Sequence, residues 1–153
     1  MAKFIYKMQS VLNIKEKMEE QAKMEFALAT AKLNEELEKL QRLKDKRRYY
    51  EEEGVKLREA ILDPLRMKEN EAAIEYVKGE IEQQKLAIKI AEDAVEKARI
   101  TLQEYMMERK THEKLKENAF EVFKQEINKE ESKEVDELTS YVYGKRIIDG
   151  EGT

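Results

Sequence analysis

The sequence predicts an all-α protein, a long antiparallel two-helix coiled-coil hairpin whose second helix overhangs the first. Asp, Glu, Lys and Arg make up 42% of the 153 residues, and the 41% that are hydrophobic recur at helical spacing. Only one Pro and five Gly interrupt the chain. This composition is typical of long helices and coiled coils, and we treat residues 1–153 as a single coiled-coil domain.

The first helix is predicted over about residues 4–58. Its apolar residues lie mostly three or four positions apart, as one helix face requires. Two consecutive steps of four, from Ala29 to Leu33 to Leu37, predict a stutter that would locally unwind a supercoil. The face comprises Phe4, Met8, Val11, Met18, Ala22, Phe26, Ala29, Leu33, Leu37, Leu40, Leu43, Tyr50 and Leu57.

The helical pattern is interrupted between Gly54 and Asn70, and a turn is expected at about residues 59–69. Pro64, the only Pro, lacks a backbone N–H and disfavours the α conformation at Asp63. A second helix is expected over about residues 70–143 with Asn70 as its cap, and a start at Leu65 is an equal alternative. The tail 144–153 is expected to fray.

The second helix carries the clearer heptad repeat, with β-branched residues at position a, which is a strong coiled-coil signal. After His112 the apolar face is expected to move by about one position, to Leu115, Phe120, Phe123 and Ile127. The a series is Ile74, Ile81, Ile88, Val95, Leu102 and Arg109, and the d series is Val77, Gln84, Ala91, Ala98, Tyr105, His112 and Ala119.

The end of the second helix has no partner within the predicted hairpin. If the turn is centred near residue 62, residue i pairs with about residue 125 minus i, which places Phe4 beside Phe120 and Phe123. Everything beyond about Ile127 then lacks an intramolecular partner. An apolar stripe still follows, formed by Val135, Leu138, Tyr141 and Val142. An exposed apolar stripe on a helix predicts a surface for a partner.

Catalysis and nucleic-acid binding are disfavoured. The net charge of −4 lacks the basic excess of a nucleic-acid binder, and no Cys can supply a disulfide or metal ligand. The single histidine, His112, occupies a d position, which favours a polar seam residue over a catalytic or metal-binding role. Acidic clusters such as residues 51–53 read as solvated helix faces. We therefore expect no enzyme activity, no cofactor, no metal and no transmembrane segment.

Two further features allow alternative interpretations. The basic run at residues 39–48 is either a patch for an acidic protein or membrane surface, or a solvated helix face. Tyr49, Tyr50 and Tyr76 lie near the predicted turn. They are either interface anchors or cover for the seam between the helices.

The two ends of the chain resemble the flagellar FliJ family. The resemblance rests on MAKFIYKMQSVLNIKEKMEEQAKMEFALA at the start, and on ERKTHEKLKENAFEVFKQE followed by KEVDEL near the end. It implies a non-enzymatic stalk of the flagellar export apparatus, similar to rotary-ATPase stalks. The implied partners are the export ATPase ring, the cytoplasmic domain of the export gate and empty export chaperones. The implied location is cytoplasmic and peripheral at the inner face of the cell membrane, with a role in motility and chemotaxis.

The analogy with rotary stalks assigns two binding regions. The open end would enter the ATPase through Phe4, Met8, Val11, Leu12, Val135, Leu138 and Tyr141. The gate contact would lie toward the turn, at Leu40, Leu43, Tyr50, Tyr76 and Gln84. The alternatives are a stalk of a virulence-type secretion system or of a rotary ATPase, and a generic homodimerising coiled-coil scaffold.

Overall fold

The computed structural model describes residues 2–151, with side chains for residues 2–147. It contains two long helices packed against each other, α1 (Gln9–Glu59, 51 residues) and α2 (Pro64–Glu151, 88 residues). The all-α helical hairpin that the sequence predicts is therefore confirmed. The described chain divides into a turn unit, Met18–Tyr105, and a terminal unit that contains the described residues before Met18 and after Tyr105.

The connection between the helices is shorter than predicted, because α2 begins at Pro64 and not near residue 70. The Asp63 carboxylate accepts hydrogen bonds from the backbone N–H groups of Leu65 (3.2 Å) and Arg66 (3.4 Å). Asp63 is thus the N-cap, and Pro64 occupies the first helical position, where its missing N–H costs nothing. The break at Asp63–Pro64 is where the sequence placed it, and the alternative start at Leu65 is one residue from the observed one.

Gly54 and Asn70 join the helices, whereas the sequence suggested that they bound the break. Gly54 lies within α1 and is buried, and a Cβ added to it would lie 2.6 Å from the Asn70 Oδ1. The Asn70 side-chain amide donates a 2.9 Å hydrogen bond to the Tyr50 carbonyl oxygen on α1. The predicted cap is therefore wrong: Asn70 bridges the two helices, and Gly54 makes room for it.

The core of the turn unit follows the heptad series of α2. Val77, Ile81, Ile88 and Ala91 are buried, and Ala22 is buried on α1. The predicted stutter is absent, because Glu36 is buried while Leu37 is exposed. The α1 seam, meaning its row of buried and half-buried positions, therefore keeps alternating steps of four and three. It runs through Ala22, Phe26, Ala29, Leu33, Glu36, Leu40 and Leu43.

The terminal unit is held by an aromatic cluster and a polar seam. The Phe4 ring packs 5.1 Å from that of Phe120 and 5.3 Å from that of Phe123, measured between ring centroids, as predicted. Leu12 is buried, and the Lys15 ammonium lies 3.0 Å from the Glu108 carboxylate.

The predicted shift of the α2 face after His112 is wrong at Leu115 and Phe120, which are exposed, whereas Phe123 and Ile127 lie on the half-buried face as predicted. Lys116 and Ala119 are half-buried, so the heptad register continues through Phe123. Long basic side chains can hold seam positions because their methylene stems pack while their charged heads reach water. The seam of this unit comprises Arg109, His112, Lys116, Ala119, Phe123 and Ile127.

Beyond Ile127, α2 continues as a helix with almost no buried surface. Every described side chain from residue 128 to 147 is exposed, and only Gly144 is half-buried. The expected frayed tail is helical through Glu151, and its last two positions, 152 and 153, lie outside the described residues. This end of α2, residues 128–147, is called the free end below.

Candidate partner-binding site

The free end of α2 carries the most continuous exposed apolar stripe of the terminal unit. Val135, Leu138, Tyr141 and Val142 recur at helical spacing, and Leu138 is 64% exposed. A shallow groove of about 310 Å³ runs between Leu138, Thr139, Val142, Tyr143 and Arg146. An amphipathic helix with apolar side chains three and four residues apart binds grooves or helical partners on other proteins. The free end therefore has the form of a docking helix.

The N-terminal residues assigned to the same site lie in different environments. Leu12 is buried and Phe4 packs on Phe120 and Phe123, so both already contribute to the hairpin. Val11 is half-buried, and Met8 is exposed. Of the seven residues predicted at the open end, Met8, Val135, Leu138 and Tyr141 present apolar surface to solvent.

Most residues assigned to the gate contact face the partner helix. Leu40, Leu43 and Tyr50 are half-buried seam residues. Only Tyr76 is largely exposed among the five. Tyr49, next to Tyr50, is also exposed, and the two rings lie 5.6 Å apart between centroids. Tyr49 and Tyr76 are therefore the exposed tyrosines of the turn unit.

Gln84, the fifth residue of that group, takes part in a polar lock inside the turn unit. Its amide donates to the Glu36 carbonyl oxygen at 2.9 Å and also to the Glu36 carboxylate. The Lys32 ammonium lies 2.9 Å from the same carboxylate, and Lys39 approaches it at 3.5 Å. The hydrogen bond from Lys32, followed by that from Gln84, lowers the pKa of Glu36 to about 2. A buried carboxylate is tolerated here because both of its oxygens have a polar or charged partner.

The lock explains why a charged residue occupies the seam. A single polar pair at core positions fixes the register of a coiled coil, since any slip leaves a buried charge without a partner. Sequence periodicity places Gln84 at position d. It assigned Leu37, and not Glu36, to the buried face of α1 because Leu37 is apolar. The bond between Gln84 and Glu36 thus links the two helices in one alignment.

Other polar features of the described chain look structural. His112 is half-buried at its seam position, and its Nδ1 is buried without a hydrogen-bond partner among the described residues. Within the basic run, Arg47 pairs with Glu51 at 2.9 Å on the same helix. No group of three or more His, Cys, Asp or Glu side chains converges as metal ligands within residues 2–147.

Neither described helix contains a window long and apolar enough to cross a membrane.

The fold and the free end define a class of protein: a long helical hairpin whose second helix ends in an exposed apolar stripe. The chain belongs to the FliJ family, because the family model described as Flagellar FliJ protein matches residues 4–147. No curated protein and no solved structure matches the chain. The family is a non-enzymatic component of flagellar export, so the chain is a flagellar export-associated protein, as the resemblance implied.

Proposed function

We propose that the chain is a coiled-coil stalk of the flagellar export apparatus, with the free end of α2 inserted into the central opening of the export ATPase ring. The observation that carries the proposal is the stripe of Val135, Leu138 and Tyr141, which stays exposed on a helix that extends past its partner. A stalk needs length, stiffness and one unpaired helical end. Burying a Leu side chain contributes roughly 1.5–3 kcal/mol, so a few anchors suffice for specific binding.

The N-terminal residues have a supporting role in this proposal. Phe4 packs on Phe120 and Phe123 of α2, and Leu12 of α1 is buried in the same unit, so that the docking helix projects from a packed base. Met8 is exposed beside them and extends the apolar surface available to the ring. A rigid base reduces the ordering cost of binding.

A second contact, with the cytoplasmic domain of the export gate, is proposed toward the turn. Tyr76 on α2 and Tyr49 on α1 are the exposed aromatic residues of that region and suit an interface anchor. Leu40, Leu43, Tyr50 and Gln84 act indirectly, because they shape the helices beneath this surface. An escort role for empty export chaperones, and a peripheral position at the inner face of the cell membrane, belong to the same proposal.

Binding of the export ATPase to purified variants tests the stalk proposal. Leu138→Asp is expected to weaken binding at least about tenfold, because a charge replaces a central apolar anchor. Leu28→Asp is the matched control, since Leu28 is 71% exposed but lies on α1 in the turn unit. Equal binding by Leu138→Asp and the native chain, or loss with Leu28→Asp alone, would contradict the assignment.

A further inference from the structure

Helix α2 carries a second heptad pattern on the side that faces away from α1. Within the turn unit, Ala72, Tyr76, Gly79, Gln83, Leu86 and Ile90 follow one another in alternating steps of four and three. All six are exposed, although the seam residues between them are buried or half-buried. None of the six is charged, in a chain where 42% of residues are. This row, called the outer face below, has the spacing of a coiled-coil interface without a partner helix.

The outer face contains both a hole and a side chain that fits it. A Cβ built on Gly79 would meet no atom within 4 Å, so the backbone there is open to close approach. Ile90 is β-branched and 71% exposed. In an antiparallel pair of two copies, Ile90 of one copy faces Gly79 of the other when Leu86 faces Gln83. Both contacts are centred on the same point of α2, between Gln84 and Lys85, so one alignment makes them together.

One pair of flanking charges, Glu82 with Lys89, agrees with that alignment. Glu82 and Lys89 border the outer face on the same side, one heptad apart. In the antiparallel pair each Glu82 approaches Lys89 of the second copy, which gives two equivalent opposite-charge contacts. In a parallel pair the two residues would not meet. Such flanking pairs are what select the orientation of coiled-coil partners.

We propose that this protein self-associates through the outer face of α2, as an antiparallel dimer with two-fold symmetry. A two-fold interface uses the same patch on both copies, and the part of the outer face from Gly79 to Ile90 is complementary to itself in apolar fit and, through Glu82 and Lys89, in charge. Self-association does not depend on the stalk function. Its corollary does: Tyr76 lies in the outer face, so a paired chain could not use that residue to contact the export gate.

The outward side of α1 is less suited to the same role. Its exposed row of Met24, Leu28 and Ala31 runs directly into Glu35 and has no glycine that opens the backbone. Pairing through that row would bury a carboxylate or end after three residues. Leu28 therefore supplies a control position with the same exposure as Ile90.

Sedimentation equilibrium of the full chain, from about 1 to 300 µM, tests the proposal. A short, partly apolar interface should give a reversible dimer with a dissociation constant on the order of 10–100 µM. Ile90→Glu should weaken dimerisation at least about tenfold, while Leu28→Glu should leave it unchanged. A monomer over the whole range, or a dimer that survives Ile90→Glu, would overturn the proposal. Circular dichroism should show both variants folded.

Charge reversal tests the alignment without touching the apolar residues. Glu82→Lys alone and Lys89→Glu alone should each weaken the dimer about tenfold at low salt, since each puts like charges together at two symmetric positions. The double reversal should restore native dimerisation. A double variant that dimerises no better than the single ones would rule out the antiparallel pairing. These exposed positions leave the hairpin intact, so the result does not depend on the folding of Ile90→Glu.

Discussion

The seam of the turn unit and the free end of α2 contain the same kinds of apolar residue, but these residues differ in their exposure to solvent. In the turn unit the seam positions of α2 are buried or half-buried against α1, and Ile88 is only 7% exposed. At the free end, side chains of similar type and spacing are exposed because no second helix lies beside them. Helical periodicity therefore identifies the apolar face of a helix. The length of the other helix decides whether that face is buried within the same chain.

The largest expected effect comes from placing a charge in the paired region. Ile88→Asp should destabilise the hairpin by about 3–5 kcal/mol, because it removes a buried side chain and leaves an unpaired carboxylate in the seam. Urea unfolding followed by circular dichroism measures this free energy. A loss below about 1 kcal/mol would mean that the seam is not a packed core.

Substitution of the two helical glycines of the turn unit, Gly54 and Gly79, should change the free energy of unfolding by less than Ile88→Asp does, and the two sites should respond differently. Gly79→Ala should stabilise the monomer by up to about 1 kcal/mol, because Ala favours the helix and nothing lies within 4 Å of the new Cβ. Gly54→Ala should not, since its Cβ would meet the Asn70 Oδ1 at 2.6 Å and disturb the bond to Tyr50. The loss of that bond, about 1 kcal/mol, offsets the helical gain.

A double-variant comparison isolates the cause. In an Asn70→Ala background, Gly54→Ala should become stabilising, because the clash has gone. Thermal unfolding at low protein concentration measures all four chains. If Gly54→Ala stabilises the native chain as much as Gly79→Ala does, the close approach of Asn70 is wrong.

The polar lock should give a smaller effect that depends on pH. Because the pKa of Glu36 falls from 4.5 to about 2 on folding, its stabilising contribution is complete above the unfolded value. That contribution is lost as the pH falls through the range from about 4.5 to about 2. Glu36→Gln should lower the melting temperature at pH 7, and the difference from the native chain should shrink toward pH 2. A difference independent of pH would show that the carboxylate is not stabilised by its neighbours.

The hairpin, the break at Asp63–Pro64 and the unpaired end could be predicted from sequence because they depend on periodicity and on Pro. The errors occurred where a polar or small residue acts across the helix pair. Asn70 resembles a cap and Gly54 a helix breaker until the opposite helix is in view. Lys116 at the seam was missed because its stem, and not its charge, packs there.

Prediction of the binding residues from the sequence is limited in the same way. The exposure of Val135, Leu138 and Tyr141 follows from counting residues along two helices. The burial of Leu12 does not follow from that count, and periodicity placed Gln84 at position d without identifying Glu36 as its partner. The outer face of α2 was also overlooked, because Gly79 and Gln83 weaken its apolar signal. Spacing identifies a face, and only the fold shows which faces remain open.

The smallest expected effect on stability is the most informative. Leu138→Asp should change the free energy of unfolding by less than about 0.5 kcal/mol, because the side chain makes no packed contact in the hairpin. Ile88→Asp introduces the same charge and serves as the comparison. The contrast between the two variants measures how far the paired region and the free end differ.

Truncation before Val135 separates the free end from the hairpin, with urea unfolding and export ATPase binding measured on the same preparation. We expect an unfolding midpoint unchanged from the full chain, together with loss of ATPase binding. A truncated chain that unfolds at markedly lower urea would show that the free end packs within the hairpin. A truncated chain that still binds the ATPase with native affinity would place the docking surface elsewhere.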